Sequence, residues 1–417
     1  MFRSCLNSIC SMFVFGLLTQ TASADDWPQF RGPDSLGVSQ AKNLPVTWSD
    51  TENLIWKTAM PGSGSSSPIA LGGRLYVTCY SGYGLDQGQG KMEDLAFHVV
   101  CIDGDSGTII WDKKIKPMLP EQSSVRDHGY AAQTPATDGK HLYVFFGKSG
   151  VFKFDLDGEQ IWQTSVGTKL NGWGCGTSPV LYKNLVIVNA SVESGSLVAV
   201  DKTSGEEVWR AAGMDSSWNT PHLVDAPDGK QELAVSVKKF ILGFDPETGK
   251  ELWRCEGIED YICPSIISHD GILYALGGRR SMTIAIRSGG RGDVSKTHKL
   301  WQADVGAIVS SPVVHDGHLY WVSDRSKTAY CLSLADGSIK YSQNVGLQPY
   351  ASTLLADGRL YVVTRYGGTL VLAAKPQFEQ LAHNKLADKT VFNASPIVCN
   401  GNLILRSNTN LYCFGQK

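Results

Sequence analysis

The chain has 417 residues, 42% hydrophobic and 19% charged, with 44 glycines, 11 tryptophans and a formal net charge of −2. This composition excludes a disordered chain. The near-zero balance excludes a global attraction to nucleic acid or to an anionic membrane, so any charge-driven contact must be local.

The first residues have the pattern of an export signal: Arg3, the apolar run "MFVFGLL" at 12–18, and Ala22-Ser23-Ala24 as a cleavage site. Seven apolar residues are too few to span a bilayer. The expected division is a signal peptide at 1–24, an N-terminal extension at 25–43 and a single domain at 44–417. The mature protein is then periplasmic or secreted after cleavage near Ala24. A lipid anchor is the alternative, but Cys10 precedes the apolar run instead of following it. No later segment has the length and apolarity of a membrane-spanning helix, so an integral membrane protein is not expected.

Eight cysteines follow the signal: Cys79, Cys101, Cys175, Cys255, Cys263, Cys331, Cys399 and Cys413. There is no C-x-x-C and no C-x-x-C-H, which excludes c-type haem attachment and argues against a zinc knuckle. No metal site is expected. Cys255 and Cys263 flank one short connection and are the candidate disulfide. The alternative is that the cysteines are small buried strand residues.

The fold is read from internal repetition. Short apolar stretches, usually opened by a small residue and proline, recur: "SSPIAL", "QTPATD", "TSPVLY", "NTPHLV", "CPSIIS", "SSPVVH", "ASTLLA" and "ASPIVC". Marked at Pro68, Pro135, Pro179, Pro221, Pro264, Pro312, Thr353 and Pro396, they are 67, 44, 42, 43, 48, 41 and 43 residues apart. Two insertions, at 81–94 and 113–126, account for the long first step. Each unit then runs through a Gly- or Asp-Gly-type hairpin, a second strand such as "RLYVTC" or "HLYWVS", and a third strand entering a D-x-x-x-G-like turn. Its fourth strand carries an aromatic residue: Trp111, Trp162, Trp209, Trp253, Trp301 or Tyr341.

Four short antiparallel strands per unit of about 40–45 residues predict an all-β, eight-bladed β-propeller. The eighth unit stops after its third strand, while 53–60, "NLIWKTAM", carries Trp56 where a fourth-strand tryptophan belongs. An N-terminal strand should therefore pair into the last blade and close the ring, which removes open sheet edges. The six tryptophans Trp56, Trp111, Trp162, Trp209, Trp253 and Trp301 are expected to pack between blades.

These units resemble the PQQ-like (pyrroloquinoline-quinone-like) β-propeller repeat family, best in "VAVDKTSGEEVWR" and "LGFDPETGKELWR". The resemblance covers about 44–414. "DDWPQFRGPDSLGVS" resembles the opening of secreted members. The family holds quinoprotein dehydrogenases and non-catalytic propellers, among them the lipoprotein subunit of the outer-membrane β-barrel assembly machinery. The repeat is specific for fold and weak for function. The dehydrogenase branch implies a quinone under a vicinal disulfide, a polarising Ca²⁺ and an aspartate base. This sequence has no Cys-Cys and no haem domain. Its Asp/Gly turns, 103–107 and 155–158, lack the later glutamate of an EF-hand loop.

Ligand sites on propellers gather where loops converge on the channel mouth. The segments leading into the innermost strands are rich in polar and aromatic groups. The binding candidates are Asp127, His128, Tyr130, Gln133, Asn171, Trp173, Trp218, Asn219, Asp260, Tyr261, Tyr350 and Asn393, with Gln348 and Phe392 beside them. The alternative is that these groups only satisfy buried backbone. Loops between second and third strands on the same face carry Lys148, Lys238, Lys239, Arg279, Arg280, Arg325, Lys327, Arg365 and Arg406 against Glu193 and Asp324. The turns of the opposite face in blades one to four are acidic. One basic and one acidic face are expected, or else merely solvated loop charge. No nucleophile elbow and no metal-spaced histidines are present.

The first reading is an exported, monomeric, non-catalytic binding or scaffold propeller with no catalytic residue and no cofactor. It would engage a protein partner or an anionic or sugar-like molecule, not nucleic acid, at the loop-lined mouth. The alternatives are a quinone-dependent alcohol or sugar dehydrogenase using PQQ and calcium, and a carbohydrate-binding propeller.

Overall fold

The computed structural model describes residues 26–85, 90–126 and 128–416. The expected signal segment and Asp127 lie outside the described residues. Eight four-stranded antiparallel sheets succeed one another along the chain, the blades of a propeller. Blade 1 comprises Ile69–Leu71, Arg74–Ser81, Ala96–Asp103 and Ile109–Ile115, and its order from inside to outside is repeated in the others. The middle strands are buried on both faces between neighbouring blades, which is why they read as unbroken apolar runs such as Leu185–Ala190. The outermost strands alternate: in Glu207–Ala212 only Trp209 is buried.

Blade 8 takes Ile397–Cys399, Asn402–Arg406 and Asn410–Phe414 from the C-terminal end and Leu54–Ala59 from the N-terminal end. The closing strand is antiparallel, with Leu54 opposite Phe414 and Ala59 opposite Asn410. The expected closure is therefore formed.

The tryptophans act across blade boundaries. The indole Nε1 donates to a carbonyl in the third-to-fourth-strand turn of the next blade: Trp56 to Gly104 at 2.9 Å, Trp111 to Leu156 at 3.2 Å, Trp162 to Lys202 at 3.1 Å, Trp209 to Pro246 at 3.1 Å and Trp301 to Leu334 at 2.8 Å. Trp253 differs and donates to Glu232 of its own blade at 2.7 Å. The next blade's turn is long here; its Gly292–Asp293 pairs in parallel with Trp253 and Arg254, and Arg291 reaches Glu232 at 2.8 Å. Blade 7 has Ala382 at the equivalent position, and Trp48 supplies the missing bulk, packing on Tyr361 and Phe414 with ring centroids 6.3 and 5.5 Å away. The aspartates of these turns accept hydrogen bonds from their own loops, as Asp245 does from Glu247 N and Thr248 N. They are turn formers.

A belt of hydroxyls laces the innermost strands together. Backbone N–H groups donate to the side-chain oxygen of the next blade: Ser67 to Thr134, Thr134 to Ser178, Ser178 to Thr220, Ser265 to Ser311, Ser311 to Ser352, Ser352 to Ser395 and Ser395 to Ser67. Blade 5 takes part through Ser265, which follows its proline instead of preceding it. Its mark thus shifts, and the steps from Thr220 and to Ser311 become 45 and 46 residues.

The expected Cys255–Cys263 disulfide is not formed. Cys255 belongs to the outermost strand of blade 4 and is fully buried in its contact with blade 5. Cys263 precedes the innermost strand of blade 5 and faces the central cavity. The width of a sheet separates them. Among the described residues, no helix is long and apolar enough to cross a membrane.

Candidate functional site

The connections into the innermost strands converge on one mouth of the channel, around a cavity of about 490 Å³. Of the expected candidates, His128, Trp173, Trp218, Tyr261, Tyr350 and Asn393 line it, with Gln348. The hydroxyl belt forms its lower wall through Ser67, Thr134, Thr220, Ser265, Ser311, Ser352 and Ser395.

Three aromatic rings form one wall. Trp173 lies 6.4 Å from Trp218 and 5.2 Å from Tyr261, and Trp218 meets Tyr261 edge-on at 6.3 Å. These rings are held in place: Trp218 Nε1 donates to Gly174 O at 2.9 Å, and the Trp173 carbonyl lies 2.7 Å from His128 Nε2. Trp173 stays 45% exposed, so an apolar surface is presented to the cavity without a partner large enough to cover it.

Cations flank the rings. Arg126, Arg325 and Lys327 line the cavity. The Arg279 guanidinium stacks over Tyr261 at 4.9 Å, and its carbonyl accepts a hydrogen bond from Arg325. Arg365 stacks over Tyr350 at 4.0 Å and donates to Asn393 Oδ1 at 3.2 Å. Asp324 is the one carboxylate among the described residues of the lining; its Oδ1 accepts from Ile308 N and Val309 N. Burial pushes its pKa upward.

Other candidates lie elsewhere. Asn219 is fully buried and bonds Ser217 and Ser236, so it is structural. Asp260 accepts from Tyr261 N and Arg279 N and braces two loops of the rim. Tyr130, Gln133 and Asn171 face a separate, narrow recess with Glu121, Cys175 and Glu193. Burial raises the carboxyls of Glu121 and Glu193 to about 7.

The basic face is smaller than expected. Lys148 is 9% exposed and donates to Pro120 O; Arg406 is 1% exposed and donates to Ser66 O and Thr78 O. Both are interior anchors, because buried cations must be satisfied where they lie. Glu193 and Asp324 are buried as well, and Asp324 attracts the adjacent Arg325. Lys238, Lys239, Arg279, Arg280, Arg325 and Lys327 remain exposed, with Lys239 paired to Glu259 at 3.3 Å.

Sequence reasoning missed Phe30 and Arg126, both of which line the cavity. Arg126 sits in an insertion with no counterpart in other blades. Phe30 comes from the N-terminal extension, which enters the channel from the opposite face. Trp27 pairs with Ala70 of blade 1, Pro28 O accepts from Thr137 N of blade 2, and Val38–Ser39 runs parallel to Leu354–Ala356 of blade 7.

The donor set does not fit a calcium-polarised quinone. Among the described residues no three His, Cys, Asp or Glu side chains converge, and Asp324 already serves two backbone N–H groups.

A family model described as outer membrane protein assembly factor BamB matches residues 96–343 and 238–389. An outer membrane protein assembly factor BamB of Yersinia pestis is 23% identical over 351 residues, 76% of this chain and 79% of the relative. One from Burkholderia pseudomallei is 23% identical over 373 residues, 75% of this chain and 86% of the relative. Among solved structures, BamB from Moraxella catarrhalis covers 87% of this chain and 97% of its own, with TM-score 0.62 and 14% identity. Quinohemoprotein alcohol dehydrogenase from Comamonas testosteroni covers 94% of this chain and 81% of its own, with TM-score 0.66 and 12% identity. The structural likenesses carry the fold, which the two kinds of protein share. The matched repeats extend over most of the blades, and the chain belongs to the PQQ-like repeat family of the outer membrane protein assembly factor BamB.

Proposed function

We propose that this protein is a non-catalytic binding propeller of the exported compartment, and that it engages an acidic segment of a partner in outer-membrane protein assembly at the cup. One observation carries this reading: the cup sets an open aromatic wall beside exposed cations. Aromatic and arginine side chains of this kind dominate protein recognition. The names of the relatives supply the assembly context. Electrostatic attraction by the rim would speed encounter with the partner and weaken as salt rises.

A photo-crosslinker placed at Trp173 in the exporting host tests the reading. The expected adducts are with outer-membrane assembly components, and Arg279→Glu combined with Arg325→Glu should abolish them. Adducts that survive the double reversal, or their absence from a folded protein, would overturn it.

A further inference from the structure

We propose that the N-terminal extension is a built-in plug of the channel, and that Phe30 at its tip sets what the cup accepts: an aromatic group bearing an acid. This rests on the cup being a binding site. The segment 26–39 enters beside blade 1, turns within the channel and leaves along blade 7. Asp26 accepts from Gly72 N at 2.9 Å, Ala70 and Trp27 exchange both backbone hydrogen bonds, and Leu355 N donates to Gly37 O at 2.8 Å.

The turn is clamped from within. Arg31 is 3% exposed, and its guanidinium donates to the carbonyls of Ser35, Leu36, Ser311 and Pro312. Two of these belong to the plug and two to the innermost part of blade 6. Burial lowers the pKa of Arg31 to about 9, so it stays charged at neutral pH. A buried cation needs all its donors satisfied, and a shifted plug would break several bonds at once. The left-handed turn at Gly32, with φ +85°, lies under the Trp27 indole: a methyl group there would stand 3.1 Å from the ring. "WPQFRG" therefore supplies a strand pair, a tip, a clamp and a turn in six residues.

Phe30, only partly buried, closes the bottom of the cup. On the other side of the plug is a second cavity of about 230 Å³, lined by Trp27, Arg31, Leu36 and Val398 among others. Residues of the plug thus line both spaces, Phe30 the upper and Trp27 with Arg31 the lower. The depth of the upper one is set by one ring. Above that ring are the Trp173, Trp218 and Tyr261 wall and the Arg325 and Lys327 charges. A flat apolar group can stack on the rings while a carboxylate meets the cations.

Two titrations by calorimetry separate a free ligand from a side chain of a partner: indole-3-acetate, and the peptide Gly-Asp-Trp-Asp-Gly. At least one should bind with one-to-one stoichiometry. Binding of the free acid assigns the site to a small molecule, and binding of the peptide alone assigns it to a partner chain. Phe30→Trp should fill the cup and weaken whichever binds at least tenfold with an unchanged melting curve. Phe30→Ala, which leaves the Arg31 clamp in place, should weaken it about fivefold and keeps the test open if the larger ring does not fold. Binding of neither probe at millimolar concentration overturns the proposal, as does equal affinity of the folded Phe30 variants. Crosslinks that vanish on Arg279 and Arg325 reversal while Phe30 variants stay silent would remove the plug proposal and leave the partner reading standing.

Discussion

The indole of Trp209 in blade 3 lies directly on Gly249 in blade 4. Gly249 has φ +69°, and a methyl group on it would stand 2.4 Å from Trp209 Cε3. The same pairing joins Trp56 to Gly107, Trp162 to Gly205 and Trp301 to Gly337. The glycine of each turn is needed twice, for the left-handed backbone and for the ring that rests on it. Gly249→Ala should therefore destabilise by about 2–3 kcal/mol, combining backbone strain and overpacking. Trp209→Ala should cost about 3–5 kcal/mol. Urea unfolding followed by circular dichroism measures both, and a Gly249→Ala curve matching wild type would refute the shared geometry.

Ring closure makes the N-terminal strand part of blade 8. Removing the chain through Met60 would uncover the edge of Asn410–Phe414 and the buried faces around Trp56. The expected result is a sharp fall in melting temperature with aggregation, since an open apolar edge templates pairing between molecules. A soluble deletion variant with an unchanged melting curve would rule the closure out.

Arg406 and Arg280 look alike in sequence, but Arg406 ends the second strand of blade 8 while Arg280 lies on the loop after the second strand of blade 5. Arg406 Nη1 donates to Ser66 O at 2.5 Å and Nη2 to Thr78 O at 2.8 Å, whereas Arg280 is exposed. Arg406→Ala should cost about 3–5 kcal/mol by stranding buried carbonyls and emptying packed space. Arg280→Ala should stay within about 0.5 kcal/mol. Equal stabilities of the two variants in chemical denaturation would contradict the assignment of Arg406 as an interior anchor.

Glu193 should make stability fall as pH rises. It is 2% exposed, beside Cys175 and Gln133 and in the same recess as Glu121 and Lys148, and burial raises its pKa from 4.5 to about 7. Below pH 4.5 it is protonated in both the folded and unfolded states and contributes nothing. Between about 4.5 and 7 the unfolded chain loses the proton first, so the penalty grows, and above 7 it is constant at about 3 kcal/mol. Glu193→Gln should thus raise the melting temperature by a few degrees at pH 8 and leave it unchanged at pH 4. An equal gain at both pH values would assign the effect to packing.

The blades were legible in the sequence because each one repeats the same local requirements. A two-residue turn needs positive φ, so Asp316-Gly317 and Asn400-Gly401 announce themselves, and both residues of each pair adopt it. Middle strands buried on both faces must be apolar throughout, and Trp56 without a preceding unit could belong only to the open last blade. Most of the aromatic half of the cup was also readable, since the segments carrying Trp173, Trp218 and Tyr261 recur at the same point of successive units. Which residues stay at the surface was not legible. Lys148, Arg406 and Asn219 sit in the same kinds of segment as Lys238, Arg280 and Trp218, and only the packing of neighbouring blades decides which polar groups are enclosed. Cys255 and Cys263 are close along the chain but stand at the outer edge of blade 4 and beside the inner edge of blade 5. The plug was the least readable part, because "WPQFRG" occurs once and its partners in the blades are 43 to 281 residues away. A unique segment has no repeat to reveal its register. Its place in the channel is decided by the closed ring, which offers Arg31 two carbonyls of blade 6 and leaves Phe30 facing the cup.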